Sequence, residues 1–155
     1  MISPLSVNAY VLNGLRVPNP QSVTYSVETN NATATYTEVD AVISAIPSWQ
    51  IHCPELRIVY STASNVDMAF RFRLNEDIGA YAATYPYKKE ISIYKPWKNL
   101  TMTQKQETVV HEAGHMLGLD HCQAQYNSEA VMRATGFNNV GCPLADDKRG
   151  IAALY

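Results

Sequence analysis

Apolar and polar residues alternate along Val23-Thr24-Tyr25-Ser26-Val27, and its β-branched and aromatic side chains predict a strand. The Asn30-Asn31 turn leads to Thr35-Tyr36-Thr37-Glu38, a capping box that opens a helix. Behind it Val39, Val42, Ile43 and Ile46 recur at i, i+3, i+4 and i+7, so one helical face is apolar. Pro47 ends or kinks that helix and leaves Trp49 to pack from its final turn. Short runs predict further strands over Leu56–Tyr60, Asp67–Phe72, Gly79–Thr84 and Glu90–Tyr94, the last two joined through Pro86. Another helix begins near Thr103, with Gln106 three residues on as a second capping box. It carries Val109, Val110 and Met116 and stops at Gly118, whose missing Cβ suits a left-handed position. A last helix runs from Leu144 to Leu154. The first 22 residues read as an irregular arm, because Pro18 and Pro20 remove backbone donors and break ladders. The order of elements predicts a mixed α/β layer, a sheet packed against its long helices.

Length and charge narrow the possibilities. A chain of 155 residues suits one domain, residues 1–155, and buries roughly 70% of its unfolded surface. Twelve Lys and Arg against fourteen Asp and Glu give a net charge of −2, which offers no footprint for nucleic acid or an anionic membrane. No apolar run approaches the roughly 20 residues that a bilayer span needs. Met1-Ile2-Ser3-Pro4-Leu5 lacks the basic and apolar regions of a signal peptide, so either export is absent or a leader or pro-segment lies outside this chain.

The chemistry sits in the predicted zinc-binding stretch, residues 103–121. His111 and His115 lie one turn apart on a helix, about 40° apart in projection, so two imidazoles share a face. Glu112 is rotated about 100° from His111, close enough to touch water at a metal without ligating it. Gly118 turns the chain back, and Leu119-Asp120-His121 brings a third imidazole. Three neutral nitrogen ligands with an open fourth position mark a catalytic rather than a structural zinc site. Glu112 then serves as general base. A bare HExxH occurs by chance on solvated helix faces. The longer string His111-Glu112-x-x-His115-x-x-Gly118-x-x-His121, on a capped helix, is far more specific.

That string resembles the extended zinc motif of the metzincin metallopeptidases. Met132, within residues 131–134 and eleven past His121, fits the family's methionine turn, a buried floor beneath the ligands. Further likeness points to the matrixin branch: Tyr36 through Trp49 resembles its first helix, and Asn65-Val66-Asp67-Met68-Ala69-Phe70 its third strand. Gly79-Ala80-Tyr81-Ala82-Ala83-Thr84-Tyr85-Pro86 is similar to its substrate-binding edge segment, and residues 144–155 to its closing helix. The resemblance implies a twisted, mostly parallel five-stranded sheet, an antiparallel edge strand lining the cleft, and three helices. It implies substrate contacts from Tyr81, Ala82, Ala83, Glu107, Ala134, Thr135 and Gly136. Asp146 and Asp147 open the last helix, where carboxylates suit the macrodipole, and one of them would brace the methionine turn. Glu107, one turn before His111, either floors the pocket for the residue after the scissile bond or points to solvent.

Three features depart from the matrixin pattern. Only His52 is left over from the catalytic set, and the loop from Arg73 to Ile78 is short, so a second, structural zinc site cannot be built. Cys122 stands where matrixins usually carry Ser; a Cys there is similar to archaemetzincins, whose further cysteines are missing. No zinc-blocking propeptide cysteine is present in the chain. Calcium stays open, since its oxygen ligands leave no readable spacing.

Cys53, Cys122 and Cys142 make an odd count. A Cys122–Cys142 bridge would close a loop of about 20 residues, worth roughly 3 kcal/mol, with Cys53 a buried thiol. Three reduced cysteines are the alternative, and no C-x-x-C supports a zinc thiolate site. The bridge and the resemblance together imply a secreted or extracytoplasmic protein. The leading expectation is a monomeric zinc endopeptidase with polypeptide substrates and a propeptide or protein inhibitor as further partners. The alternative is an inactive or regulatory metzincin-fold binding module, and an intact Glu112 argues against it.

Overall fold

A computed structural model describes residues 9–155. Its main sheet has five strands: β2 (Val23–Val27), β3 (Ile58–Tyr60), β4 (Met68–Arg73), β5 (Ala82–Tyr85) and β6 (Glu90–Tyr94). Their spatial order is β3-β2-β4-β6-β5. β3, β2, β4 and β6 run parallel, and β5 closes one edge antiparallel to β6, with Ala82 opposite Ile93 and Tyr85 opposite Glu90. The mixed α/β architecture with a mostly parallel sheet is as the sequence predicts.

The inner strands show why they sit where they do. In β2 every second residue is buried, Val23, Tyr25 and Val27, and in β4 Met68, Phe70 and Phe72. That period-2 pattern faces the helices. α1 (Tyr36–Ala45) buries Ala41, Val42 and Ala45 and packs beside α3 (Met102–Leu117). The first capping box forms as predicted, with Glu38 accepting the Thr35 backbone N–H at 2.7 Å. Pro47 does break the helix, but a separate short helix α2 (Ser48–His52) follows and carries Trp49. Among the described residues there are thus four α-helices, the last being α4 (Ala145–Leu154).

Two sequence readings shift. The cap of α3 is Thr101 with Gln104, two residues before the predicted Thr103–Gln106 pair; both fit the same pattern, and Thr101 holds the extended conformation an N-cap needs. The arm is also less irregular than its prolines suggest. Among its described residues, β1 (Val11–Leu12) pairs antiparallel with β7 (Leu119–Asp120), and Pro20–Ser22 forms a 3-10 turn. Residues 1–8 of the arm lie outside the described residues.

α3 is anchored along its length. The indole N–H groups of two wholly buried tryptophans, Trp49 and Trp97, donate to Val110 O and Lys105 O, each at 3.1 Å. Gly118 ends the helix in the left-handed region at φ 110°, as predicted. A Cβ there would lie 2.5 Å from the Leu15 carbonyl oxygen and 2.9 Å from Leu154 Cδ1. Gly118→Ala should therefore lower stability by about 1–2 kcal/mol through the backbone alone, with the clash adding to it. Urea unfolding of the two proteins measures the difference.

Candidate metal centre

His111, Glu112 and His115 project from the last turns of α3, and β7 delivers His121 immediately after the Gly118 turn. The three rings form a near-equilateral triangle, with centroids 4.8, 5.0 and 5.2 Å apart. One ring nitrogen from each lies within 4.8 Å of the others, so the cluster can hold a metal ion.

The backbone aims two of the rings. His111 Nδ1 donates to Val131 O at 2.7 Å, and His115 Nδ1 donates to Leu119 O at 2.8 Å. A carbonyl oxygen only accepts, so Nδ1 carries a proton in both rings, and Nε2 is the nitrogen left to face a metal. Burial, then the neighbouring His115, push the His111 pKa down to about 3. The same two causes lower that of His121. Both rings are therefore held neutral, as ligation requires.

Glu112 is buried, and the Thr84 hydroxyl donates to its Oε2 at 2.6 Å. Thr84 also lies 3.0 Å from the Glu112 carbonyl. Burial raises the Glu112 pKa, and the Thr84 hydrogen bond and the facing histidines pull it back. Sequence reading missed Thr84: a hydroxyl in a short strand carries no signal of its own, and only the packing of β5 across α3 brings it to the carboxylate.

Met132 is buried with its sulfur against Gly114, and a Cβ on Gly114 would overlap Met132 Sδ. The turn that carries Met132 is braced from α4. Asp147 accepts Val131 N–H at 2.8 Å, Met132 N–H at 3.3 Å and Leu144 N–H at 2.8 Å. Of the acidic pair, it is therefore Asp147 that touches this turn, while Asp146 pairs with Arg149 at 3.1 Å. Burial pushes the Asp147 carboxyl up to about 6 against those three amides.

A cavity of about 490 Å³ opens beside the cluster. Tyr81, Ala82, Glu107, Ala134, Thr135 and Gly136 all line it. Ala83 does not, because successive strand residues face opposite sides of the sheet. The rings of Tyr81 and Phe137, both in its lining, pack with their centroids 5.6 Å apart. Glu107 lines the cavity and does not point to solvent. It is only 2% exposed, and its two oxygens accept the backbone N–H groups of Asn138 at 2.7 Å and Val140 at 3.1 Å. Its charge is spent on holding the cavity wall. Arg133 works from the other side, donating to Thr135 O, Phe137 O and Asn138 Oδ1.

The three cysteines are free thiols in the structure, so the anticipated Cys122–Cys142 bridge is not formed there. Cys122 Sγ instead lies 3.5 Å from Asn127 Oδ1. Cys53 is buried, and that burial lifts its pKa to about 12. No protein-family model matches the chain, and no curated protein matches it either. No helix among the described residues is long and apolar enough to cross a membrane.

Replacing Glu107 isolates its structural work. Glu107→Leu strands two amides, at about 1–3 kcal/mol for each that stays buried and unpaired. Hydrogen exchange should quicken at Asn138–Val140 and stay unchanged in β4, and mass spectrometry of the labelled peptides reads both.

Proposed function

We propose that the protein is a zinc-dependent endopeptidase of metzincin, matrixin-like type. The observation that carries this reading is the clustering of three imidazoles within 4.8 Å of one another, with a buried Glu112 beside them and an open cleft alongside. An all-histidine donor set in a closed triangle suits zinc better than calcium or magnesium, which take oxygen ligands. Zinc held there would supply Lewis acidity, polarising a carbonyl and lowering the pKa of water toward about 7.

The chain's own residues then divide the work. Among the described residues β5 pairs with β6 on one side only, so its other edge can align an extended peptide by main-chain hydrogen bonds. Thr84 holds Oε2 of Glu112, which leaves Oε1 to take a proton from the attacking water. The same oxygen returns that proton to the leaving amine. Met132 fills the place of the methionine turn in this reading, with Asp147 as its brace. The wall that Glu107 and Arg133 stiffen would bound the pocket for the residue after the scissile bond.

Cleavage profiling on a peptide library tests the proposal. The wild type should cut in the presence of zinc and stop with a chelator. Glu112→Ala should retain one zinc per chain and lose at least about 100-fold in turnover. Full activity in that variant would refute the mechanism, and a zinc-loaded wild type that cuts nothing would favour a binding module. An extracytoplasmic location and a Cys122–Cys142 bridge belong to the same proposal. Peptide mapping of the exported protein under non-reducing conditions should recover the two cysteines in one linked fragment.

A further inference from the structure

The last carbonyls of a helix have no partner within it and must find one elsewhere. In α3 the Gly118 N–H reaches Gly114 O and His115 O, and the Tyr155 hydroxyl donates to Leu117 O at 2.7 Å. The remaining help comes from the arm, more than 100 residues away in sequence. Asn13 Nδ2 donates to His115 O at 2.8 Å and to Leu119 O at 3.0 Å. Its backbone N–H donates to Gly118 O at 3.0 Å, and its Oδ1 accepts Leu15 N–H at 2.9 Å. An amide nitrogen has two hydrogens, and both are used.

The position of these bonds matters more than their number. Leu119 O is the acceptor that fixes the His115 ring, so Asn13 and His115 Nδ1 share one carbonyl oxygen. Leu119 and Asp120 also form the two-residue ladder with β1, in which Leu12 faces Leu119 and Val11 faces Asp120. That ladder ends at Asp120, one residue before His121. Asn13 thus ties down the acceptor behind the second ligand and the turn that carries the third. His111 is held independently, through Val131 O.

We propose that Asn13 is a positioning residue of the metal centre, aiming His115 and His121 from the N-terminal arm. The proposal rests on the metal-site reading above, and its test separates the two. Partners of this kind, which orient ligands without touching the metal, typically set affinity within 10–100-fold. Asn13→Ala should release zinc to a competing chelator at least about 10-fold faster than the wild type. The cobalt-substituted variant should also show an altered visible absorption spectrum, which loss of stability alone would not produce. Asn31→Ala serves as the comparison: Asn31 likewise donates two hydrogen bonds, to Glu28 and to Phe72 O, but outside the histidine cluster, and its zinc release should match the wild type. If Asn13→Ala does not fold, Asn13→Ser, too short to reach both carbonyls, takes its place. Wild-type release and an unchanged cobalt spectrum in the Asn13 variant, with only the urea midpoint lowered, would overturn the positioning role. A wild type that takes up neither metal would overturn the metal-site reading itself.

Discussion

Two hydrogen bonds, from His111 Nδ1 to Val131 O and from His115 Nδ1 to Leu119 O, set the geometry on which the site depends. Each contributes only about 1 kcal/mol to stability. Their value is directional, because each fixes a tautomer and a ring orientation together. Both acceptors are main-chain atoms outside α3, one in the turn that carries Met132 and the other in the turn that carries His121. The two rings are therefore correctly aimed only when those two turns are correct. Much of the remaining structure holds them still.

That requirement explains features with no chemistry of their own. Asp147 commits its carboxylate to the amides of Val131 and Met132 and to that of Leu144, the N-cap of its own helix. Gly114 has no Cβ because Met132 occupies the space. Gly118 turns at a positive φ so that β7 can run back along β1. The buried indoles of Trp49 and Trp97 bind carbonyls of α3 and so fix the helix against the rest of the core. On the cleft side Glu107 and Arg133 fasten the loop between Thr135 and Val140 from two directions. A rigid wall facing an open strand edge gives the cavity a definite shape.

The parts legible in the sequence were those set by local periodicity. Helical spacing placed His111 and His115 on one face, and a glycine three residues later announced the turn that brings His121. Alternation located β2, and the acidic pair marked the start of α4. What stayed hidden was set by contacts between distant segments. Thr84 meets Glu112 only because β5 crosses α3, and Asn13 meets His115 across 102 residues. The fate of Glu107 turned on two amides in a loop without periodicity. The displaced cap of α3 arose differently: Thr101–Gln104 and Thr103–Gln106 satisfy the same local rule, and only backbone geometry chooses between them.

Zinc-edge X-ray absorption of the metal-loaded protein reads the centre itself, without need of a substrate. A centre built from His111, His115 and His121 should show three imidazole nitrogens at about 2.0–2.1 Å and one further light scatterer at an open position. A sulfur scatterer near 2.3 Å, or fewer than three imidazoles, would contradict it.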